Sequence, residues 1–81
     1  MKPSNGSYRL TTLAQPGFPS TSVVYTVTDD GIPTTFGMLE WTDLPPPGMF
    51  VKGDIALRFT TPTDFVALNG AASFAGTYAP A

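Results

Sequence analysis

The chain contains no cysteine and no histidine, and only four basic and six acidic side chains in 81 residues. Without cysteine there is no disulfide, and without either residue type the thiolate and imidazole zinc sites are excluded. Serine and threonine are plentiful, but no imidazole base exists to activate one as a nucleophile. The acids are Asp29, Asp30, Glu40, Asp43, Asp54 and Asp64. A carboxylate pair for glycoside hydrolysis would need a deep cleft, which so short a chain can hardly build. Asp29-Asp30 is not followed by the 12-residue spacing of an EF-hand. Neither a Walker A pattern nor a dinucleotide fingerprint is present. The expectation is a protein that is not an enzyme, with no catalytic, cofactor-binding or metal-binding residues.

Positive charge is equally scarce. Lys2, Arg9, Lys52 and Arg58 are scattered, and the net charge is −2. A nucleic-acid binder needs a clustered basic face to displace counterions from phosphates, so no nucleic-acid partner is expected. Anionic membrane surfaces are disfavoured for the same reason. No run approaches the roughly 18 apolar residues of a membrane span, and Met1–Ser7 lacks the apolar core of a secretory leader. Charged residues make up 12% of the chain against about 25% in an average protein. A surface so thinly charged is easier to explain if neighbours cover part of it.

Size points the same way. A domain of this length buries roughly 60–65% of the surface its unfolded chain exposes, so its core is marginal. Small domains compensate with disulfides, a metal or an oligomeric partner. Disulfides and thiolate or imidazole zinc sites are excluded here, which leaves self-association or docking onto a larger body as the expected support.

What the chain does have is β-forming and turn-forming residues. Ser22–Thr28 is nearly all β-branched or aromatic, with Val23, Tyr25 and Val27 on one face. Asp29-Asp30-Gly31 reads as a turn. A return strand is predicted over Thr34–Trp41, with Phe36, Met38 and Glu40 on one face and Gly37, Leu39 and Trp41 on the other. Leu44–Gly48 must break the sheet, because three prolines remove three backbone donors. It reads as a stiff crossover, with a PxxP-type docking ligand as the alternative. Met49–Thr60 alternates, with Met49, Val51, Gly53, Ile55, Leu57 and Phe59 on one face. Lys52-Gly53-Asp54 either bends this run or splits it into two strands.

Residues 62–74 carry two readings. Asn69-Gly70 can make a hairpin turn that pairs Phe65 with Phe74 and Ala67 with Ala72. Alternatively Thr61 caps a short helix that starts at Pro62 and ends at Asn69-Gly70. Residues 1–21 are punctuated by Pro3, Gly6, Pro16, Gly17 and Pro19. They read as an N-terminal arm holding one short strand over 7–13, ahead of a single β-domain over 22–81. The fold class predicted is all-β: a small antiparallel β-sandwich or barrel with an extended N-terminal arm and at most one short helix near 62–69.

A chain rich in Thr, Ala, Gly and Pro, poor in charge and free of Cys and His resembles small bacteriophage capsid decoration (cement) proteins. The resemblance is one of composition over the whole chain; it rests on no motif and transfers no residue roles. It implies a non-enzymatic virion protein, assembled in the host cytoplasm. Such a protein binds the major capsid protein or another virion protein and stabilises neighbouring coat subunits. Self-association is expected, with a trimer favoured. A tail, neck or fibre module, or a small inhibitor of a host protein, are the alternatives. Phe18, Trp41, Met49 and Phe50 flank proline-rich breaks, and Tyr78 lies near the end of the chain. These five are the candidate interface residues, with ordinary core packing as the alternative for each.

Overall fold

Glycine and threonine cut this chain into short strands. The computed structural model describes residues 1–44 and 48–81. The proline crossover at 45–47 lies outside the described residues, and so does the PxxP reading. Eight strands follow in order: β1 (Gly6–Thr12), β2 (Ser22–Val27), β3 (Ile32–Thr34), β4 (Gly37–Thr42), β5 (Met49–Lys52), β6 (Ile55–Phe59), β7 (Asp64–Asn69) and β8 (Ala72–Pro80). They form one sheet in the order β2-β1-β8-β7-β6-β5-β4-β3, with every pair antiparallel. Read as a circle, this is the order of the chain itself. The protein is an up-and-down, nearly closed barrel, with no helix among the described residues.

The seam lies between β2 and β3, which meet only through the Thr28–Gly31 bridge. Gly31 aims its N–H and C=O at Thr28, at 3.1 and 2.9 Å. Alternate residues of a strand aim the same way, so Pro33 faces the same edge, where its missing N–H costs no ladder bond. That proline keeps the seam from zipping shut.

Threonine hydroxyls build the turns. Thr28 Oγ1 donates to the Gly31 carbonyl at 2.9 Å and accepts from the Asp30 N–H at 3.2 Å. Thr34 repeats the motif with Gly37 and Phe36, at 2.8 and 3.1 Å. The predicted return strand over 34–41 is therefore split: this Thr-x-x-Gly turn separates β3 from β4. The 49–60 run is also two strands. Gly53 (φ 57°) and Asp54 make a two-residue turn that pairs Lys52 with Ile55. The turn reverses the facing, so Phe50 points inward with Ile55, Leu57 and Phe59, while Met49 and Val51 point outward.

The third hairpin settles 62–74. Residues 64–69 are strand, but the turn is Gly70-Ala71, and Asn69 pairs with Ala72. Gly70 has φ 60° and no non-glycine residue among the described ones has positive φ, the pattern of a type II′ turn with glycine first. The register is thus two residues away from the expected one. Phe74 opposes Ala67, and Phe65 opposes Gly76.

Residues 1–21 do not form an extended arm. β1 sits between β2 and β8 and is hydrogen-bonded to both. After it, Pro16-Gly17 makes a tight reversal, with Gln15 and Phe18 exchanging backbone hydrogen bonds at 2.8 and 2.9 Å. Gly17 has φ 81°, as the third position of a type II turn requires.

Inside the barrel, Leu10, Val27, Ile32, Leu39, Phe50, Leu57, Phe59, Phe65 and Tyr78 form the buried core. Five rings run through it in successive edge-to-face contacts: Tyr8 on Tyr78, Tyr78 on Phe59, Phe59 on Phe50 and Phe50 on Trp41. Their centroids lie 5.8, 4.7, 6.0 and 5.0 Å apart. Such pairs add about 0.5–1.5 kcal/mol each beyond the area they bury. A barrel of eight strands leaves an interior just wide enough for side chains to fill, and this aromatic column fills it.

Candidate interaction surface

The up-and-down order gives the barrel two different ends. One end gathers the N-terminal residues, the Asp29-Asp30 turn and the loops that follow β4 and β6. It is plugged. The Met1 amino group donates to the Phe59 carbonyl at 2.6 Å, and the Tyr8 hydroxyl donates to the Ser4 carbonyl at 2.7 Å. Asn5 donates to Asp29 at 2.6 Å. The Lys2 ammonium lies 5.6 Å from the Trp41 ring centroid, within the range of a cation–π contact.

Tyr78 anchors the same end. Its hydroxyl donates to the Thr61 carbonyl at 2.7 Å. Burial, then the neighbouring Tyr8 and Asp64, hold its pKa above the ordinary 10.0. The folded pKa exceeds the unfolded one, so this group favours the folded state below pH 10 and ceases to as pH rises through its folded value. Alkaline titration followed by circular dichroism should therefore show a loss of stability beginning above pH 10.0. Tyr78→Phe should flatten that loss, at a cost of about 1 kcal/mol near neutral pH for the missing hydrogen bond. An alkaline profile identical in the two proteins would remove Tyr78 from this role.

The other end is open. It is bounded by the 13–21 loop and the Thr35-Phe36, Gly53-Asp54 and Gly70-Ala71 turns. Here the inward positions stop being covered. Val23, on the same face as buried Val27, is 43% exposed, and Leu13, Phe18 and Phe36 are 60%, 54% and 60% exposed. Two apolar hollows share Phe74 and Ala67 as a common wall. One, of about 270 Å³, lies between the 13–21 loop and Phe74, bordered by Leu13, Phe18 and Thr21. The second, of about 180 Å³, reaches the barrel interior past Tyr25, Phe36, Ile55 and Leu57. Phe18 stands edge-on to Phe74, with centroids 5.2 Å apart.

The five candidate interface residues fall into three places. Phe18 is on the open rim. Trp41 and Met49 are half-buried at the plugged end. The Trp41 ring lies so close to Gly48 that a Cβ there would sit 2.5 Å from it, and its indole N–H donates to Asp43 at 2.7 Å. Phe50 and Tyr78 are inside the barrel, 0% and 7% exposed, and present no ring to solvent. Leu13, Val23 and Phe36 were not singled out from the sequence. The signal for Phe36 is the Thr34-x-x-Gly37 spacing, which repeats Thr28-x-x-Gly31 and places Phe36 in a turn instead of on a strand face.

Chemically this surface is a set of apolar knobs and hollows. Lys52 and Asp54 are the charged groups beside it, both at the β5–β6 turn. No cluster of three acidic side chains is present among the described residues. No family model, no curated protein and no solved structure matches this chain.

Proposed function

We propose that the protein is a non-enzymatic virion component, a capsid decoration or cement protein that joins neighbouring coat subunits. One observation carries the reading: among the described residues, six of the eight exposed large apolar side chains lie at the two ends of the barrel. Leu13, Phe18, Val23 and Phe36 ring the open end, Met1 and Leu44 lie at the plugged end, and Val24 and Met38 lie on the outer wall, on β2 and β4. Two sticky ends on one rigid body suit a connector. Each buried large side chain supplies about 1.5–3 kcal/mol, so a few anchors repeated over a shell add up to substantial reinforcement. On this reading the plugged end, with Leu44, Trp41 and Met49, rests on the coat. The open end meets a neighbour.

The test is fractionation. Particles from a lysate that contains the chain are banded on a density gradient, and each fraction is probed for it. The proposal predicts co-migration with intact particles in fixed ratio to the major coat protein. A chain found only among the soluble fractions contradicts it, and favours the alternative of a host-directed inhibitor. Co-migration with isolated tails alone moves the protein to that part of the virion.

A further inference from the structure

We infer that the hollow inside the open half of the barrel is a binding site for a small aromatic carboxylate. The ring lies within the barrel and the carboxylate meets the ammonium of Lys52. The inference concerns the interior, and does not rest on the coat-binding reading or on what meets the rim.

Three features of the hollow lead to it. The first is depth. Its floor is core, because Leu39 and Leu57 line it and are 1% and 5% exposed. Its mouth is the rim, where Phe36 lines it and is 60% exposed. The column of Tyr8, Tyr78, Phe59, Phe50 and Trp41 fills the rest of the interior, and none of those five rings lines this hollow. Ala67 is a short side chain at an inward position here, and its shortness leaves the room.

The second is size and shape. The hollow holds about 180 Å³, and an apolar cavity of about 150 Å³ lined by Leu, Ile and Phe accepts a benzene ring. Tyr25, Phe36 and Phe74 supply aromatic walls. Edge-to-face or offset contact with such walls favours a flat ring over an alkyl chain of equal volume.

The third is charge. Lys52 and Asp54 flank the turn at this end but belong to different faces. Lys52 shares the inward face of β5 with Phe50, whereas Asp54 precedes inward Ile55 and falls in the outward set. The Lys52 stem lies over the bare backbone of Gly37, where a Cβ would come 2.8 Å from its Cε and 3.3 Å from its Nζ. Gly37 follows Phe36 and is two residues from Leu39, and both of those line the hollow. The ammonium therefore lies beside the mouth. An apolar slot with one cation at its lip suits a ring that carries one negative charge.

Hydrocinnamate and its neutral counterpart, hydrocinnamyl alcohol, are the probes. Titration of the methyl-labelled full chain, followed by NMR, should shift Leu39, Ile55, Leu57 and Ala67. Ala79, on the outer wall of β8, should not move. The acid should bind with a dissociation constant of about 1 mM or tighter, in keeping with a ligand of about eleven heavy atoms. Lys52→Met keeps the stem and removes the charge. It should weaken the acid about fivefold, the upper end for an exposed ion pair, and leave the alcohol unchanged. Ala67→Leu fills the hollow and should weaken both probes at least about tenfold, with circular dichroism reporting the fold. If that variant unfolds, the contrast between acid and alcohol in Lys52→Met decides the matter. The absence of shifts at the interior methyl groups up to about 10 mM acid overturns the inference. So does an equal response of acid and alcohol to Lys52→Met, or binding that survives a folded Ala67→Leu.

Discussion

Phe50→Ala is expected to destabilise the barrel by about 3–5 kcal/mol, the range for removing a fully buried phenylalanine ring. Phe50 is 0% exposed and stands between Trp41 and Phe59 in the aromatic column. Its loss removes two edge-to-face contacts as well as the buried area. The surrounding strands are hydrogen-bonded on both sides and cannot collapse far into the void. At about 0.05–0.15 kcal/mol per residue, a domain of this size holds roughly 4–12 kcal/mol in all. The variant should therefore be largely unfolded, or melt far below the parent, in thermal denaturation followed by circular dichroism. A loss under about 1 kcal/mol would mean that the interior is loosely packed and that the column does not hold it.

Gly76→Ala should be nearly as damaging although it adds a single carbon. Gly76 lies in β8 between β1 and β7. A Cβ there would come 2.2 Å from the Thr11 carbonyl oxygen and 2.6 Å from the Phe65 ring. One obstacle is backbone in a paired strand and the other is a core ring, so neither yields cheaply. Overpacking of this kind costs about 1–3 kcal/mol, and the backbone contact places Gly76 at the upper end. Gly70→Ala is the comparison. Its Cβ would meet nothing within 4 Å, but its φ is 60°, so only the left-handed backbone penalty of about 1–2 kcal/mol applies. Urea denaturation of the two variants should rank Gly76→Ala as the less stable. The reverse order would mean that β8 does not approach β1 this closely.

Gly76 also explains why the β7–β8 register was hard to read. Asn69-Gly70 is a strong turn signal, and on sequence alone it aligns Phe65 with Phe74. The chain instead turns at Gly70-Ala71, and the two-residue shift places the Phe65 ring over the bare backbone of Gly76. A narrow barrel has room for that pairing, whereas two rings side by side at one level would crowd its wall. A shift of two preserves facing, so the prediction that Phe65, Ala67 and Phe74 share a face survives the error in register.

The β5–β6 run was opaque for a different reason. In β5 the charged Lys52 shares a face with Phe50, so the polar residue marks the inward side as if it were the solvated one. The inward set changes from even to odd positions across the Gly53-Asp54 turn. Because Met49 and Val51 are apolar too, the odd positions look like one unbroken stripe. By contrast, β2 was legible: Val23, Tyr25 and Val27 alternate with Val24 and Thr26, and the turn acids follow at once. β1 was visible as a strand, but the prolines and glycines around it suggested an arm. Its partner β8 lies more than sixty residues away, and local pattern does not report pairing at that distance.

The exposed apolar surface was the least legible part. Proximity to proline breaks selected Phe18, which is on the open rim, and Phe50, which is in the core. Tyr78 was selected for its nearness to the chain end, yet it is half of the ring pair with Phe59. Chain position does not measure burial in a barrel closed by its first and last strands. Exposure at the open end comes instead from the 13–21 loop and the β3–β4 turn, which carry Leu13, Phe18 and Phe36 beyond the paired strands.

The most direct measurement is photocrosslinking with a benzophenone side chain in place of the Phe36 ring, and at Ala79 as the wall control. Irradiation of intact particles that carry the chain should join position 36 to a neighbouring virion protein, with little product from position 79. Crosslinks from the wall position alone, or none from position 36 in particles that retain the chain, would contradict the account of the open end as a docking face.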